Sequence, residues 1–193
     1  MRVGAVVRLC LVSAAFCGTP VLPAQSEGLP PEWEIRKDLE ALVEQTRRLS
    51  TPLATLKPAD WVGRGAPAAY QGQLQSVRAE NEYLAGSAAK LAKDPEQLTV
   101  ALETYLRMQS RDALLNSLSD GVARYQNPAL ADLIRAAMAE SAASGEKLRQ
   151  YLVRLAALKE EQLKVANQEA QRCRALTLQQ LARKEPGKPG GAR

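Results

Sequence analysis

The feature that most restricts the fold of this chain is a long run without proline between Pro128 and Pro186. Asn127 and Pro128 predict that a helix starts here, because Asn can cap the first turn and Pro needs no N–H donor there. Gly145 is the one plausible kink inside it. At about 1.5 Å per residue, an unbroken helix here would extend roughly 80 Å, against about 40 Å for its neighbours.

The second half of this helix has nothing in the chain to pack against if the helix is straight. Its apolar stripe is dense up to Leu158. Beyond Lys164 the stripe thins to Val165, Cys173, Leu176, Leu178 and Leu181. We therefore expect this half either to bend back on itself or to pair with another chain, which is a second copy in a homodimer or another envelope protein.

The composition favours helices along the whole chain. Ala and Leu supply much of the 46% hydrophobic fraction, aromatic residues make up only 4%, and Gln, Glu, Arg and Lys fill the polar positions. No stretch alternates apolar and polar residues for long enough to form a half-buried strand. We predict an all-α fold, a mostly antiparallel bundle of about four helices with an overlong C-terminal helix.

Prolines and glycines set the bounds of the first helix. Pro31 suits a first helical turn, and apolar residues recur at helical spacing from there to about Leu49. Pro52 and Pro58 then interrupt the pattern, and residues 57–67 are predicted to form a loop.

The next two helices are separated by a short reversal. The second is predicted over about residues 67–93. Asp94, Pro95 and Gln97 resemble a cap, a first-turn proline and a capping-box partner, so the third helix is predicted to begin there. Gly121 is a candidate for its early end or kink.

The second and third helices each carry an apolar stripe. In the second helix the stripe is Tyr70, Leu74, Val77, Asn81, Leu84, Ala88 and Leu91. In the third helix it is Leu98, Leu102, Tyr105, Leu115, Leu118 and Val122. Asn81 is the polar member of a heptad seam, and we predict that it is a candidate register residue, with a solvent-facing position at the seam's edge as the alternative.

The first two dozen residues have the pattern of a secretory signal peptide. Arg2 and Arg8 supply positive charge, residues 9–16 form an apolar run too short to span a membrane, and Ala24 completes a plausible cleavage site. We predict residues 1–24 as a signal peptide, 25–31 as a flexible lead-in, 32–185 as the helical bundle and 186–193 as a disordered basic tail.

Cleavage after Ala24 changes both the charge and the cysteine content. It removes Arg2 and Arg8, so the formal net charge falls from +5 to +3, and much of the remainder lies in the tail. The nearly neutral body gives no reason to expect nucleic acid as a partner. Cys173 becomes the only thiol, so no internal disulfide can form.

The chain contains no histidine. Histidine-dependent triads, Cys–His dyads, di-iron bundle sites, histidine-ligated haem and the usual zinc sites therefore lack a required residue. We predict no cofactor, no metal and no enzymatic activity. A hydrolase using carboxylates alone is the remaining catalytic alternative, but nearly every Asp and Glu falls on a helix face among Lys, Arg and Gln.

The predicted loop around Trp61 is one candidate interaction site. It places Trp61 and Arg64 beside two glycines, a combination that can present a partner-binding surface. The alternative is that Trp61 fills the open end of the bundle, because the aromatic-poor core has few other large residues to close it.

Cys173 is the second candidate interaction site. It lies between Arg172 and Arg174, whose charges would favour the thiolate and hence an intermolecular bridge or a redox contact. The alternative is that Cys173 serves as a small apolar residue on the thin stripe of the last helix.

Together these patterns favour an exported, non-catalytic protein of the periplasm or the extracellular space. Its expected role is protein–protein interaction or envelope structure, with no transmembrane segment in the mature chain. The alternative is a bundle that holds an apolar or aromatic small molecule near Trp61, Tyr70 and Tyr105.

Overall fold

The computed structural model describes residues 28–184, so the predictions for residues 1–24 and 186–193 lie outside the described range. Within that range the chain forms five helices and no strand. The helices are α1 Glu32–Ala54, α2 Pro58–Val62, α3 Ala69–Lys93, α4 Leu98–Tyr125 and α5 Pro128–Lys184. The predicted all-α fold with an overlong last helix is confirmed.

Four of these helices form an antiparallel bundle. Contacts join α1 to α3, α3 to α4, α4 to α5, and α5 back to α1. The opposite directions of α1 and α5 follow from two ion pairs, since Lys147 reaches Asp38 whereas Arg48 reaches Glu140. The short helix α2 contacts α3 and closes one end, which we call the α2 end. The prediction of a loop over residues 57–67 is therefore wrong for Pro58–Val62, which is helical.

Buried side chains fill the bundle from one end to the other. At the α2 end they include Leu53, Trp61, Val77, Leu115, Leu118 and Ile134. In the middle they are Leu42, Leu84, Ala88 and Met108. The opposite end, which we call the exit end, contains Ile35, Leu39, Leu91, Val100, Ala101, Leu148, Tyr151 and Leu155. Full burial of each large aliphatic side chain stabilises the fold by roughly 1.5–3 kcal/mol.

α1 is longer than the sequence pattern indicates. It continues to Ala54 with Pro52 inside its last turns, so the prediction that Pro52 interrupts the helix after about Leu49 is wrong. A proline lacks the N–H donor and crowds the preceding turn. Burial of Leu53 and Leu56, which are 1% and 4% exposed, offsets that cost.

α4 begins later than predicted. Gln97 donates from its side-chain nitrogen to the Asp94 carboxylate at 2.6 Å, and the Gln97 N–H bonds to the Asp94 carbonyl at 3.4 Å. These bonds form a turn, and the helix starts at Leu98, so the predicted start at Pro95 is wrong. The capping pattern marks a chain reversal here instead of a first helical turn.

α4 also continues through Gly121 to Tyr125, and the early end predicted at Gly121 is not observed. The ring of Tyr70 packs directly against this position. A Cβ atom at Gly121 would lie 2.6 Å from Cε1 of Tyr70, closer than two carbon atoms approach. The glycine is therefore a place of close contact between α3 and α4.

The first half of α4 buries a different face from the predicted one. Leu102 is 45% exposed, whereas Ala101 and Thr104 are completely buried. The prediction that Leu102 faces the core is wrong. The face of α4 that packs against the core also carries polar residues, so the spacing of the apolar residues alone does not identify it. The buried series of α4 is Val100, Ala101, Thr104, Met108, Arg111, Leu115, Leu118, Ser119, Gly121 and Val122.

α5 is continuous from Pro128 to Lys184, a length of about 85 Å at the usual helical rise. The Asn127 side chain accepts the N–H of Ala129 at 2.9 Å, so the predicted cap is confirmed. The helix passes Gly145 without interruption, and the methyl group of Met108 fills the space beside that glycine.

Candidate functional site

α5 leaves the bundle next to the turn between α3 and α4. Leu155 is completely buried, the Tyr151 hydroxyl donates to the Pro95 carbonyl at 2.7 Å, and Lys159 pairs with Glu96 at 2.8 Å. Burial, together with the negative charge of Glu96, raises the pKa of Tyr151 to about 12. The hydroxyl thus stays protonated and anchors α5 to the exit end.

Beyond this anchor α5 has no covering helix. Every residue from 160 to 183 is exposed, and we call residues 160–184 the α5 extension. Its large apolar side chains are between 49% and 66% exposed: Leu163, Val165, Leu176, Leu178 and Leu181. Five large apolar side chains on one uncovered helix make the extension the strongest candidate for a contact surface.

One face of the extension carries a regular stripe. It consists of Leu163, Ala166, Ala170, Cys173, Thr177 and Leu181, and we call it the extension stripe. Steps of three and four residues keep these side chains on one side of a helix. The same spacing leads back through Lys159 and Ala156 to Leu152, which packs against the core of the exit end. The extension stripe therefore continues the bundle-facing side of α5.

Cys173 lies near the middle of the extension and is exposed as a free thiol. Of its two neighbouring arginines, Arg172 pairs with Glu169 at 3.1 Å, and Arg174 is also exposed. The carbonyl of Cys173 accepts the Thr177 hydroxyl at 3.0 Å. The structure thus places the thiol on the extension stripe, and the intermolecular bridge stays a prediction.

Trp61 and Arg64 do not share a surface. Trp61 is completely buried at the α2 end, where its ring meets the Tyr70 ring edge-on at 5.6 Å and its N–H donates to Gln126 at 3.0 Å. Arg64 is exposed, and its Nε donates to the Asp60 carbonyl at 3.3 Å. Trp61 is therefore placed where it closes the bundle, out of reach of a partner.

Asn81 lies buried between α3 and α1. Its Nδ2 donates to the Thr46 carbonyl at 2.8 Å and to the Ser50 hydroxyl at 3.1 Å. Its Oδ1 is buried without a partner among the described residues. The position is thus inside the bundle and not at a solvent-facing edge, and its role in setting the register stays a prediction.

Arg111 is a buried charge that the sequence reasoning missed. It is 1% exposed and donates from Nε and Nη2 to the Asp112 carboxylate at 3.0 and 2.7 Å, and Nη2 also reaches the Ser141 hydroxyl. Burial raises the pKa of Asp112, and the adjacent guanidinium opposes this shift. The available signal was spacing, because Arg111 follows Met108 by three residues and precedes Leu115 by four on the buried face.

The aromatic residues considered for ligand binding are not brought together. Trp61 and Tyr70 pack at the α2 end, whereas Tyr105 packs at the exit end. A cavity of about 20 Å³ lies between α1 and α5, with room for about one water molecule. It is lined by Ile35, Asp38, Leu39, Leu42, Ser144, Lys147, Leu148 and Tyr151.

The acidic groups sit among basic neighbours. Hydrogen bonds from Arg149 and Gln150 lower the pKa of Glu146 to about 2, so this carboxyl stays ionised. Between residues 28 and 184, no three acidic or cysteine side chains come together in a group that could hold a metal ion. No helix within the same range is long and apolar enough to cross a membrane.

No protein-family model, curated protein or solved structure matches the chain.

Proposed function

We propose that this protein is a non-catalytic helical-bundle protein that acts by association, with the α5 extension as its contact surface. The observation that carries the proposal is the exposure of every residue from 160 to 183 on a helix whose preceding part is firmly packed. Covering one large aliphatic side chain contributes up to roughly 1.5–3 kcal/mol, and Leu163 and Leu181 are the two such side chains on the extension stripe.

The spacing of the exposed side chains favours another helix as the partner. A stripe with steps of three and four residues fits the knobs-into-holes packing of paired helices. Ala166, Ala170 and Cys173 are small enough to let a second helix approach closely. A partner that docks as a strand would match a period of two residues, which the extension lacks.

The proposal places the protein in the periplasm or outside the cell. This part rests on the signal-like pattern of residues 1–24. Mass spectrometry of the chain recovered from the cells that produce it should give Gln25 as the first residue. A chain that still begins at Met1 would contradict export by cleavage.

Photo-cross-linking in those cells tests the contact surface. A photoreactive residue at position 163 should yield covalent adducts with a protein partner, because Leu163 lies on the extension stripe and is 62% exposed. The matched control is position 133, because Leu133 is 56% exposed but belongs to the part of α5 inside the bundle. Adducts from neither position, or equally from both, would overturn the proposal.

A further inference from the structure

The position of the bundle limits what can cover the extension stripe. The stripe continues the side of α5 on which Leu152 packs, and α1 and α4 lie on that side. A helix covering the stripe would therefore lie directly beyond the exit end, with its axis in line with the bundle. The partner must fit into a space that is bounded along one side by the extension and at its bundle end by the turn between α3 and α4.

This boundary separates the two ways of pairing two copies. In a parallel pair, the second α5 would lie beside the first along its whole length, including the part inside the bundle. There α1 and α4 already occupy the side of α5 that carries the stripe. In an antiparallel pair, the tip of each extension would end at the exit end of the other copy. The two bundles would then lie at opposite ends of the paired helices and would not collide.

The seam positions allow antiparallel registers that differ by seven residues, and coverage of the whole extension selects one of them. In the heptad of the seam, positions a and d face the partner helix. An antiparallel pair places position a of one helix beside position d of the other. In the selected register Leu163 lies beside Gln180, Ala166 beside Thr177, and Ala170 beside Cys173. Gln180 takes the heptad position next to Leu181, the last residue of the extension stripe. In this register the helix end at Lys184 of one copy lies level with Lys159 of the other, where α5 leaves the bundle. The overlap thus covers the whole extension.

The charge distribution along the extension favours the same direction. Glu160 and Glu161 lie next to the bundle, whereas Arg172, Arg174 and Arg183 lie in the distal half. Antiparallel pairing sets the acidic start of one extension level with the basic end of the other. Parallel pairing would set like charges side by side along the pair, which is destabilising.

We infer that the partner of the α5 extension is a second copy of this chain, held antiparallel with Ala170 of each copy beside Cys173 of the other. The inference rests on the proposed function, since it names the partner of the same surface. In this arrangement the two Cys173 thiols lie near each other but are not directly opposed, so the pairing does not require a disulfide.

A mixed-cysteine experiment on the full chain tests the direction and the register. In a background in which Cys10, Cys17 and Cys173 are all replaced by Ser, one protein carries Leu163→Cys and a second carries Gln180→Cys. Mixed and mildly oxidised, they should form a disulfide-linked dimer at least about tenfold faster than either protein alone, because paired helices raise the effective thiol concentration. Circular dichroism on each variant confirms that the helices are intact.

The other outcomes overturn the inference in distinguishable ways. Efficient dimerisation of the Leu163→Cys protein alone would show parallel pairing. No mixed disulfide, together with adducts from position 163 to a different protein, would remove the second copy as partner and leave the proposed function standing.

Discussion

Lys159 donates to the Glu96 carboxylate at 2.8 Å, and this ion pair marks the level at which α5 changes from a packed helix to an exposed one. Four residues earlier Leu155 is completely buried, and one residue later Glu160 is exposed. The core of the bundle therefore does not depend on the extension. Substitutions before this level should change folding stability, and substitutions after it should change association.

Gly121 should be intolerant of a side chain. The Cβ atom of alanine would meet the Tyr70 ring at 2.6 Å, so Gly121→Ala should lower the free energy of unfolding by about 1–3 kcal/mol through overpacking. Gly86 is the matched control, because it lies in α3 with open space where a Cβ would be. Gly86→Ala should raise stability by up to about 1 kcal/mol. Urea unfolding of both variants measures the difference, and equal effects would contradict the close contact.

Gln126 should stabilise the α2 end through its three side-chain hydrogen bonds. Its side chain accepts the Trp61 indole N–H at 3.0 Å and the Lys57 N–H at 3.2 Å, and donates to the Thr55 carbonyl at 3.2 Å. We expect Gln126→Ala to destabilise the bundle by about 2 kcal/mol and Trp61→Phe by about 1–2 kcal/mol. In the double variant the losses should fall short of their sum by about 1 kcal/mol. Strict additivity would show that the two side chains are not coupled.

The sequence was sufficient for the architecture but not for the details of individual turns. Helical periodicity and the proline-free run predicted the all-α bundle and the length of α5, because both depend on many residues at once. The errors at Pro52 and Pro95 have a different origin. The first treated one proline as the end of a helix, and the second treated the Asp94, Pro95 and Gln97 pattern as the start of one. Burial of Leu53 extended α1, and the Asp94–Gln97 turn delayed α4.

The buried ion pair of Arg111 should show an asymmetric response to substitution. Asp112→Asn leaves the guanidinium buried without its countercharge, and we expect a loss of about 2–4 kcal/mol. Arg111→Met combined with Asp112→Leu removes both members of the pair, so stability should change by less than about 1 kcal/mol or increase. Thermal and urea unfolding of Asp112→Asn and of the double variant test this order. A larger loss from the double variant than from Asp112→Asn would contradict the expected asymmetry.

Tyr151 should make the stability of the bundle sensitive to alkaline pH. Its pKa is raised from 10.0 to about 12 by burial, so its contribution is fully present below pH 10 and is lost as the pH rises through about 12. Tyr151→Phe should cost about 1 kcal/mol below pH 10, because the bond to the Pro95 carbonyl is lost. The variant should also lose stability less steeply between pH 10 and 12. An unchanged slope would show that Tyr151 does not titrate in the folded chain.

The candidate site was only partly accessible from the sequence. The uncovered half of α5 could be predicted, because its length exceeds that of the other helices. Arg111 was missed, since its spacing from Met108 and Leu115 becomes informative only once the buried face of α4 is known. For the same reason Trp61 supported two readings, and only the packing against Tyr70 shows that it lies in the core.

The most direct test of the account is the solution mass of the chain, measured by light scattering over a dilution series with and without reductant. We predict a dimer that dissociates on dilution and survives both reductant and Cys173→Ser. Leu163→Glu should weaken it at least about tenfold, equivalent to about 1.4 kcal/mol, whereas Leu178→Glu should not, because Leu178 is 66% exposed but lies off the extension stripe. A monomer at every concentration, or equal weakening by both substitutions, would contradict pairing through the stripe.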